Sequence, residues 1–328
     1  MQKTTDDRTP FVQALAQFPK ALGKYVGIWP LTSRENTVIR CSGAHDLCPR
    51  QFVLDYWNPK GSNCFPFQNQ MMAGMGTHIH YYLQNVILGP LGILKGSWKQ
   101  VGSGGSVVDG YYPGSHDFHK QYLETGVLEY EYVENKVWHP YYRFSGHQDG
   151  IVDKARIVKF VEMINMKVSF DSIRRELNKI RHTEEACLEI KNTNTRNFET
   201  VSAANLPDYY RMQANMYQEL SGIHETLFWY LDRDTCSSKM FLYPFEEGYY
   251  KDACRKADTV WRAIRDETLP ESGMKCLTST DKRAKECPHA QDCWATRLDF
   301  KEWVQKQKEN QAGRQWLDMS KYDDRAAS

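Results

Sequence analysis

The chain has almost no net charge: 42 Lys and Arg stand against 41 Asp and Glu in 328 residues, a formal +1. Such balance exerts no global pull on a polyanion, so any contact with nucleic acid has to come from local clustering. Long apolar runs are missing as well. The longest stretch free of Asp, Glu, Lys and Arg, Gly61 to Leu94, is broken by two His, two Pro and scattered Gln, Asn and Gly, whereas a bilayer helix needs about 20 consecutive, mostly apolar residues. No membrane span is expected. The opening Met-Gln-Lys-Thr-Thr-Asp-Asp-Arg holds no apolar segment of the secretory kind, so the expected location is the cytoplasm, or the host-cell cytoplasm for a viral source. There is no GxxxxGK[ST] loop and hence no sign of a helicase motor. Internal repeats and Pro- or Ser-rich linkers are absent too.

What is present suffices for a folded core, with 41% hydrophobic and 13% aromatic residues. Nine Cys is an odd number, and in a reducing compartment such thiols are more often buried, reactive or metal-bound than paired.

Periodicity suggests one principal body with decorations. Pro49 to Trp57 has helical spacing, with Cys48 at its start. Met72 to Leu88 reads as a helix that puts His80 and Gln84 on one face and stops at Gly89-Pro90. After a Gly/Ser loop at Gly102 to Ser106, strands are expected at Val127 to Val133, Tyr141 to Ser145, Ile151 to Val152 and Arg156 to Val161. A charged helical insertion, Ser169 to Glu185, carries Arg174, Arg175, Lys179 and Arg181, either as a solvated face or as a DNA-contacting arm. The strand Ala186 to Ile190 follows. A helix from Leu206-Pro207 to Gly222, strands Thr226 to Leu231 and Lys239 to Pro244, and a helix Glu247 to Thr268 complete an α/β or α+β order.

Asp149 lies in the run GHQDGIVD, and Glu189 and Lys191 lie in LEIKN. Residues i and i+2 of a strand share a face, so Glu189 and Lys191 project together, a metal-ligand type beside an ammonium. Phosphodiester hydrolysis uses this mixture: carboxylates hold Mg²⁺ or Mn²⁺, and a cationic side chain orients or helps deprotonate the nucleophile.

Four short patterns then occur in a fixed order: Gly76-Thr77-x-x-His80, Gly146-x-x-Asp149-Gly150, Glu189-x-Lys191 and Gln213-x-x-x-Tyr217. Together they resemble the motifs of the RecB-like branch of the PD-(D/E)XK nucleases, across residues 76 to 217. The resemblance implies an α/β, restriction-endonuclease-like core with a mixed central sheet flanked by helices. It also implies His80, Asp149, Glu189 and the backbone carbonyl of Ile190 as metal ligands and Lys191 as the catalytic lysine. Gln213 and Tyr217, one helical turn apart, would position the scissile strand or the lysine. His78 and His147 read as neighbours of the motifs. Two departures stand out: Gln84 occupies a place where many relatives carry Glu, and the gap between Asp149 and Glu189 is longer than a short hairpin.

Cys48 in Cys-Pro-Arg-Gln-Phe-x-Leu-Asp-Tyr resembles the N-terminal cysteine of the iron–sulfur members of this group, which include AddB-type and CRISPR-associated nucleases. By that resemblance Cys48, Cys276, Cys287 and Cys293 would hold a 4Fe–4S cluster in a subdomain built from both ends of the chain, with Zn²⁺ as the less favoured occupant. Cys276 departs from the usual spacing, since ten residues separate it from Cys287, but a longer loop closes at little extra entropy. Cys41 is the expected substitute should Cys48 not ligate; Cys64, Cys187, Cys236 and Cys254 read as ordinary thiols. Trp57, Trp294 and Trp303 have two readings, packing or stacking on bases, of which packing is the commoner.

The expected organisation is an N-terminal segment over 1–70 contributing Cys48, a nuclease core over 71–268 with the basic insertion at about 165–185, and a cysteine segment and tail over 269–328. The expected function is a metal-dependent DNA exonuclease acting on single-stranded or end-processed DNA. A helicase or a recombination or adaptation partner would supply any unwinding. Two alternatives are an end-trimming nuclease of the CRISPR-adaptation type and a catalytically silent iron–sulfur DNA-binding or scaffold protein.

Overall fold

The computed structural model describes residues 37–59, 67–102, 105–114, 118–166, 170–180, 184–271, 276, 278–294 and 299–319. The readings made for 1–36, Cys64 and Arg181 lie outside the described residues.

In chain order the elements used below are β1 (Ile39–Arg40), α1 (Pro49–Trp57), α2 (Phe67–Tyr82), β2 (Leu94–Gln100), β3 (Val107–Tyr111), β4 (Tyr130–Val133), β5 (Asn135–His139), β6 (Phe144–Gln148) and β7 (Gly150–Asp153). There follow α3 (Lys154–Asn165), α4 (Phe170–Leu177), β8 (Glu185–Thr193), α5 (Asp208–Ser221), β9 (Glu225–Asp232), β10 (Ser238–Pro244), α6 (Glu247–Arg265) and α7 (Phe300–Asn310). The fold is mixed α/β.

Seven of the strands form one mixed sheet, ordered β10-β9-β8-β7-β2-β3 with β4 also on β2, and β1-β6-β5 make a smaller one. β7 runs antiparallel to both of its neighbours, β2 and β8, and β8 and β9 run parallel. A parallel pair needs a crossover, and α5 provides it.

Strand alternation sorts β8 cleanly. Ala186, Leu188 and Ile190 enter a core with Leu83, Val86, Leu94, Val152 and Leu177, while Cys187, Glu189 and Lys191 take the opposite face, under α5. Here Cys187 Sγ is 3.4 Å from Ser221 Oγ, and Lys191 Nζ is 4.7 Å from the centre of the Tyr210 ring. A second core joins the two ends of the chain: Val53, Tyr56 and Trp57 of α1 pack with Met212 and Met216 of α5 and with Ala257, Val260, Trp261 and Ile264 of α6. Trp57 is buried and Trp303 packs on this cluster, so both take the packing role.

The structure corrects four expectations. Arg156 to Val161 is helical, within α3. Its β-branched content suggested a strand, but Asp153 Oδ1 accepts from Ala155 N at 3.0 Å and Arg156 N at 3.4 Å, a cap that starts a helix directly after β7. Tyr141 to Arg143 is a turn, with Arg143 at φ 53°, and the strand begins at Phe144. β2 and β3 were not expected because their short runs mix apolar residues with Gly, Lys, Ser, Gln and Asp; Ser97 and Asp109 pair across them at 2.6 Å. Arg174 is neither a solvated charge nor a DNA contact. It is 3% exposed and donates to the carbonyls of Tyr112 and Gly114 at 3.3 and 2.7 Å, fastening α4 to the end of β3.

Candidate active site and cysteine corner

The pairing of β7 with β8 reaches Gly150 opposite Leu188. Two residues further along β8, the amide of Ile190 donates at 2.7 Å to Asp149 Oδ2, so a carboxylate stands where a ladder carbonyl would continue. The other oxygen, Oδ1, lies 3.2 Å from His80 Nδ1. Burial opposes charge on His80, but the hydrogen bond and the charge of Asp149 outweigh it and raise the imidazole above its ordinary value. Directly after α2 the chain widens into a π-turn, Leu83–Leu88, a feature frequent at functional sites. Gln84, within it, donates its amide to Asp149 O at 2.7 Å. An ionised Glu at this position would have no proton to give.

Glu189 and Lys191 share the α5 face of β8 as strand period requires, and the ammonium contacts Glu189 Oε1 directly. Both are largely removed from solvent. Burial pushes Glu189 up to about 7; Lys191 pulls it down and the nearby Asp149 adds to the rise. Lys191 loses solvation by burial, yet Glu189 and Asp149 raise it above the usual lysine value. From α5, Gln213 Nε2 donates to Tyr217 Oη at 3.4 Å, and both residues are buried. The Tyr217 ring explains the glycine of Gly146-x-x-Asp149: a β-carbon at Gly146 would sit 2.5 Å from Tyr217 Cε1 and 3.1 Å from Cys41 Sγ. His78 and His147 are exposed neighbours.

Two contributors were missed in the sequence. Gln148 is fully buried between Asn135, Cys187 and the carbonyl of Tyr217, which ties β6 to both β8 and α5. Glu134 brings a carboxylate oxygen into a group with His80 and Asp149 whose ligand atoms all lie within 4.8 Å of one another. Among the described residues no other group of three or more His, Cys, Asp or Glu closes to that spacing. Glu189 lies outside it, turned toward Lys191. Only the register of the β5–β6 hairpin could have signalled Glu134.

The four cysteines meet beside the start of α1. Cys48, Cys276, Cys287 and Cys293 line one small cavity together with Arg50, Gln51, Arg283 and Trp294. Cys48 precedes α1 as its N-cap, and Arg50 Nη2 donates to Cys293 O at 2.5 Å, tying α1 to the last cysteine. His289, fully buried, contacts Asp55. All four thiols are free of disulfides. Burial raises Cys276 and Cys293 above the usual thiol value; Arg50 pulls Cys293 back down, and the neighbouring thiols add to the rise of both. Cys287 is also raised, chiefly by burial. No three of the four come within the 4.8 Å spacing, whereas tetrahedral zinc, with Zn–S bonds of about 2.3 Å, sets its sulfurs about 3.8 Å apart. Cys41 is no substitute for Cys48. It is buried against Tyr217 and Gly146, where burial pushes its thiol up to about 12.

No family model matches the chain, and no curated protein matches it either. Among solved structures it is similar to SSO0001, at 14% identity over 87% of this chain and 97% of that one, with a TM-score of 0.33. It is also similar to an alkaline exonuclease, LHK-Exo from Laribacter hongkongensis, at 14% identity over 71% of this chain and 90% of that one, with a TM-score of 0.31. Scores this low carry no functional conclusion.

Proposed function

We propose that the chain is a metal-dependent deoxyribonuclease of the PD-(D/E)XK type, an exonuclease that draws single-stranded or end-processed DNA past His80, Asp149, Glu189 and Lys191. The observation that carries this reading is the convergence of two buried carboxylates, a largely buried ammonium and an imidazole where the β7–β8 ladder ends. Removing such charges from water is costly, and groups held this way concentrate at reaction centres. A protein that only bound DNA would have no use for them.

His80, Asp149, Glu189 and the Ile190 carbonyl would hold Mg²⁺ or Mn²⁺, for which oxygen donors with one imidazole are suitable. When bound, the cation acidifies a water and neutralises charge developing on the phosphorane. Lys191, covered by the Tyr210 ring, donates hydrogen bonds to the attacking water or to a phosphorane oxygen. Gln213 and Tyr217 brace this face from α5. Gln84 fixes the Asp149 backbone. Tyr81 and Tyr82 beside His80, and Tyr209 beside Tyr210, are exposed rings on which unpaired bases can stack.

Cys48, Cys276, Cys287 and Cys293, which line one small cavity, would hold the 4Fe–4S cluster that the resemblance implies, with Zn²⁺ the less favoured occupant. Its role in this reading is to tie α1 to the C-terminal segment. Among the described residues no helix is long and apolar enough to cross a membrane. The proposed setting is the cytoplasm, beside a helicase or a recombination or adaptation partner. Incubation with 5′- and 3′-labelled single strands and duplexes in Mg²⁺ or Mn²⁺ should give progressive shortening from one end that stops on adding EDTA. Intact DNA under every condition would transfer support to the binding-protein alternative.

A further inference from the structure

After β2 the chain passes twice more between the two sheets, and each of these crossings is one residue long. Glu134 alone separates β4 of the large sheet from β5 of the small one, and Asp149 alone separates β6 from β7 on the way back. β5 and β6 are antiparallel, with Asn135 opposite Gln148. One further step of that register sets Glu134 opposite Asp149. The base of the hairpin therefore turns two carboxylates toward each other, and α2 adds the imidazole of His80, with all three ligand atoms within 4.8 Å.

Carboxylates this close repel. His80 is the basic group at hand, and its Nδ1 already faces Asp149 Oδ1. The Glu134 carboxylate makes no hydrogen bond or ion pair with any other described residue. Two oxygens and one imidazole nitrogen, converging from three elements with nothing to balance the second negative charge, form a donor set for a divalent cation of the Mn²⁺ or Mg²⁺ kind. Glu189 is not part of it, being held by Lys191.

We infer that Glu134 is a divalent-cation ligand, completing with His80 and Asp149 a position on the Oδ1 side of Asp149. This rests on the reading of His80 and Asp149 as cation ligands and adds to it a residue outside the four motifs. The two carboxylates are fixed by the single-residue crossings rather than by a sequence motif, so the site is present before the cation arrives.

The test is calorimetric titration of the full chain with Mn²⁺, alongside Glu134→Gln, Glu189→Gln and Lys191→Ala, with melting curves in EDTA and in Mn²⁺. Glu134→Gln should weaken Mn²⁺ binding tenfold or more and shrink the rise in melting temperature that Mn²⁺ gives. In EDTA it should melt at or above the wild type, because a repulsion has been removed; a residue of merely structural value would lower it. Lys191→Ala should still bind Mn²⁺. Unchanged Mn²⁺ affinity in Glu134→Gln with weakened affinity in Glu189→Gln would overturn this inference and leave the nuclease reading standing. Weakened binding in Glu134→Gln by a wild type that cleaves no DNA would support the cation site and remove the nuclease. A wild type that binds no Mn²⁺ would overturn both.

Discussion

The carboxylate centre and the cysteine corner both gather ligand-type side chains, and they do so by different means. Asp149, Glu189 and Lys191 are placed by strand period and ladder register, with buried hydrogen bonds from Ile190 and Gln84 holding Asp149 on two sides. Cys48 and the trio Cys276, Cys287 and Cys293 come from opposite ends of the sequence and meet between short helical turns, with Arg50 as a polar tie. A centre built on a sheet keeps its geometry when empty. A corner built on loops would draw its geometry from a metal it held, because metal affinity at such a site is also folding energy.

Removing one thiol should therefore do more damage to stability than removing one carboxylate. Cys287→Ser is expected to lose the brown absorbance of an iron–sulfur cluster and to lower the melting temperature by several degrees. A colourless, zinc-containing wild type purified without oxygen would break the comparison at its cluster end. At the other end, Gly146→Ala should cost about 1–3 kcal/mol, the usual range for overpacking, because its β-carbon meets Tyr217. Denaturant unfolding would show it, and an unchanged midpoint would mean that Tyr217 gives way freely.

A smaller effect separates the surface from both centres. Arg175→Ala with Lys179→Ala, two exposed charges of α4 and the turn after it, should reduce the slope of log affinity for DNA against log salt by about one to two, as expected for one or two lost phosphate contacts. An unchanged slope would assign them to a solvated face. Arg174 does not belong in that experiment, since its loss would free α4 from the carbonyls of Tyr112 and Gly114.

The parts legible in the sequence are those whose spacing is local. Glu189 and Lys191 at strand period, Gln213 and Tyr217 one helical turn apart, and Cys48 ahead of α1 all stand where a short pattern would put them. Glu134 was not legible, because its fifteen-position separation from Asp149 becomes a contact only through a hairpin that leaves one sheet and returns to it. The π-turn after Tyr82 was hidden for a related reason: Leu83 to Leu88 fits ordinary helical spacing, and only the buried partners of Gln84 and Asn85 reveal the wider path. α3 misled through β-branched residues that sit largely on its exposed side, with Val158 and Val161 facing out, where propensity is a weak guide against a capping Asp153.

The central claim is that the face holding Glu189 and Lys191 performs phosphodiester cleavage. Its most direct test is end-labelled DNA with wild type and Lys191→Ala side by side in Mg²⁺ or Mn²⁺, with DNA affinity measured on both. The account predicts that Lys191→Ala binds DNA about as well as the wild type and cleaves it on the order of 10²–10³-fold more slowly, the loss typical of removing one donor that stabilises a charged transition state. Equal cleavage rates for the two proteins would contradict it.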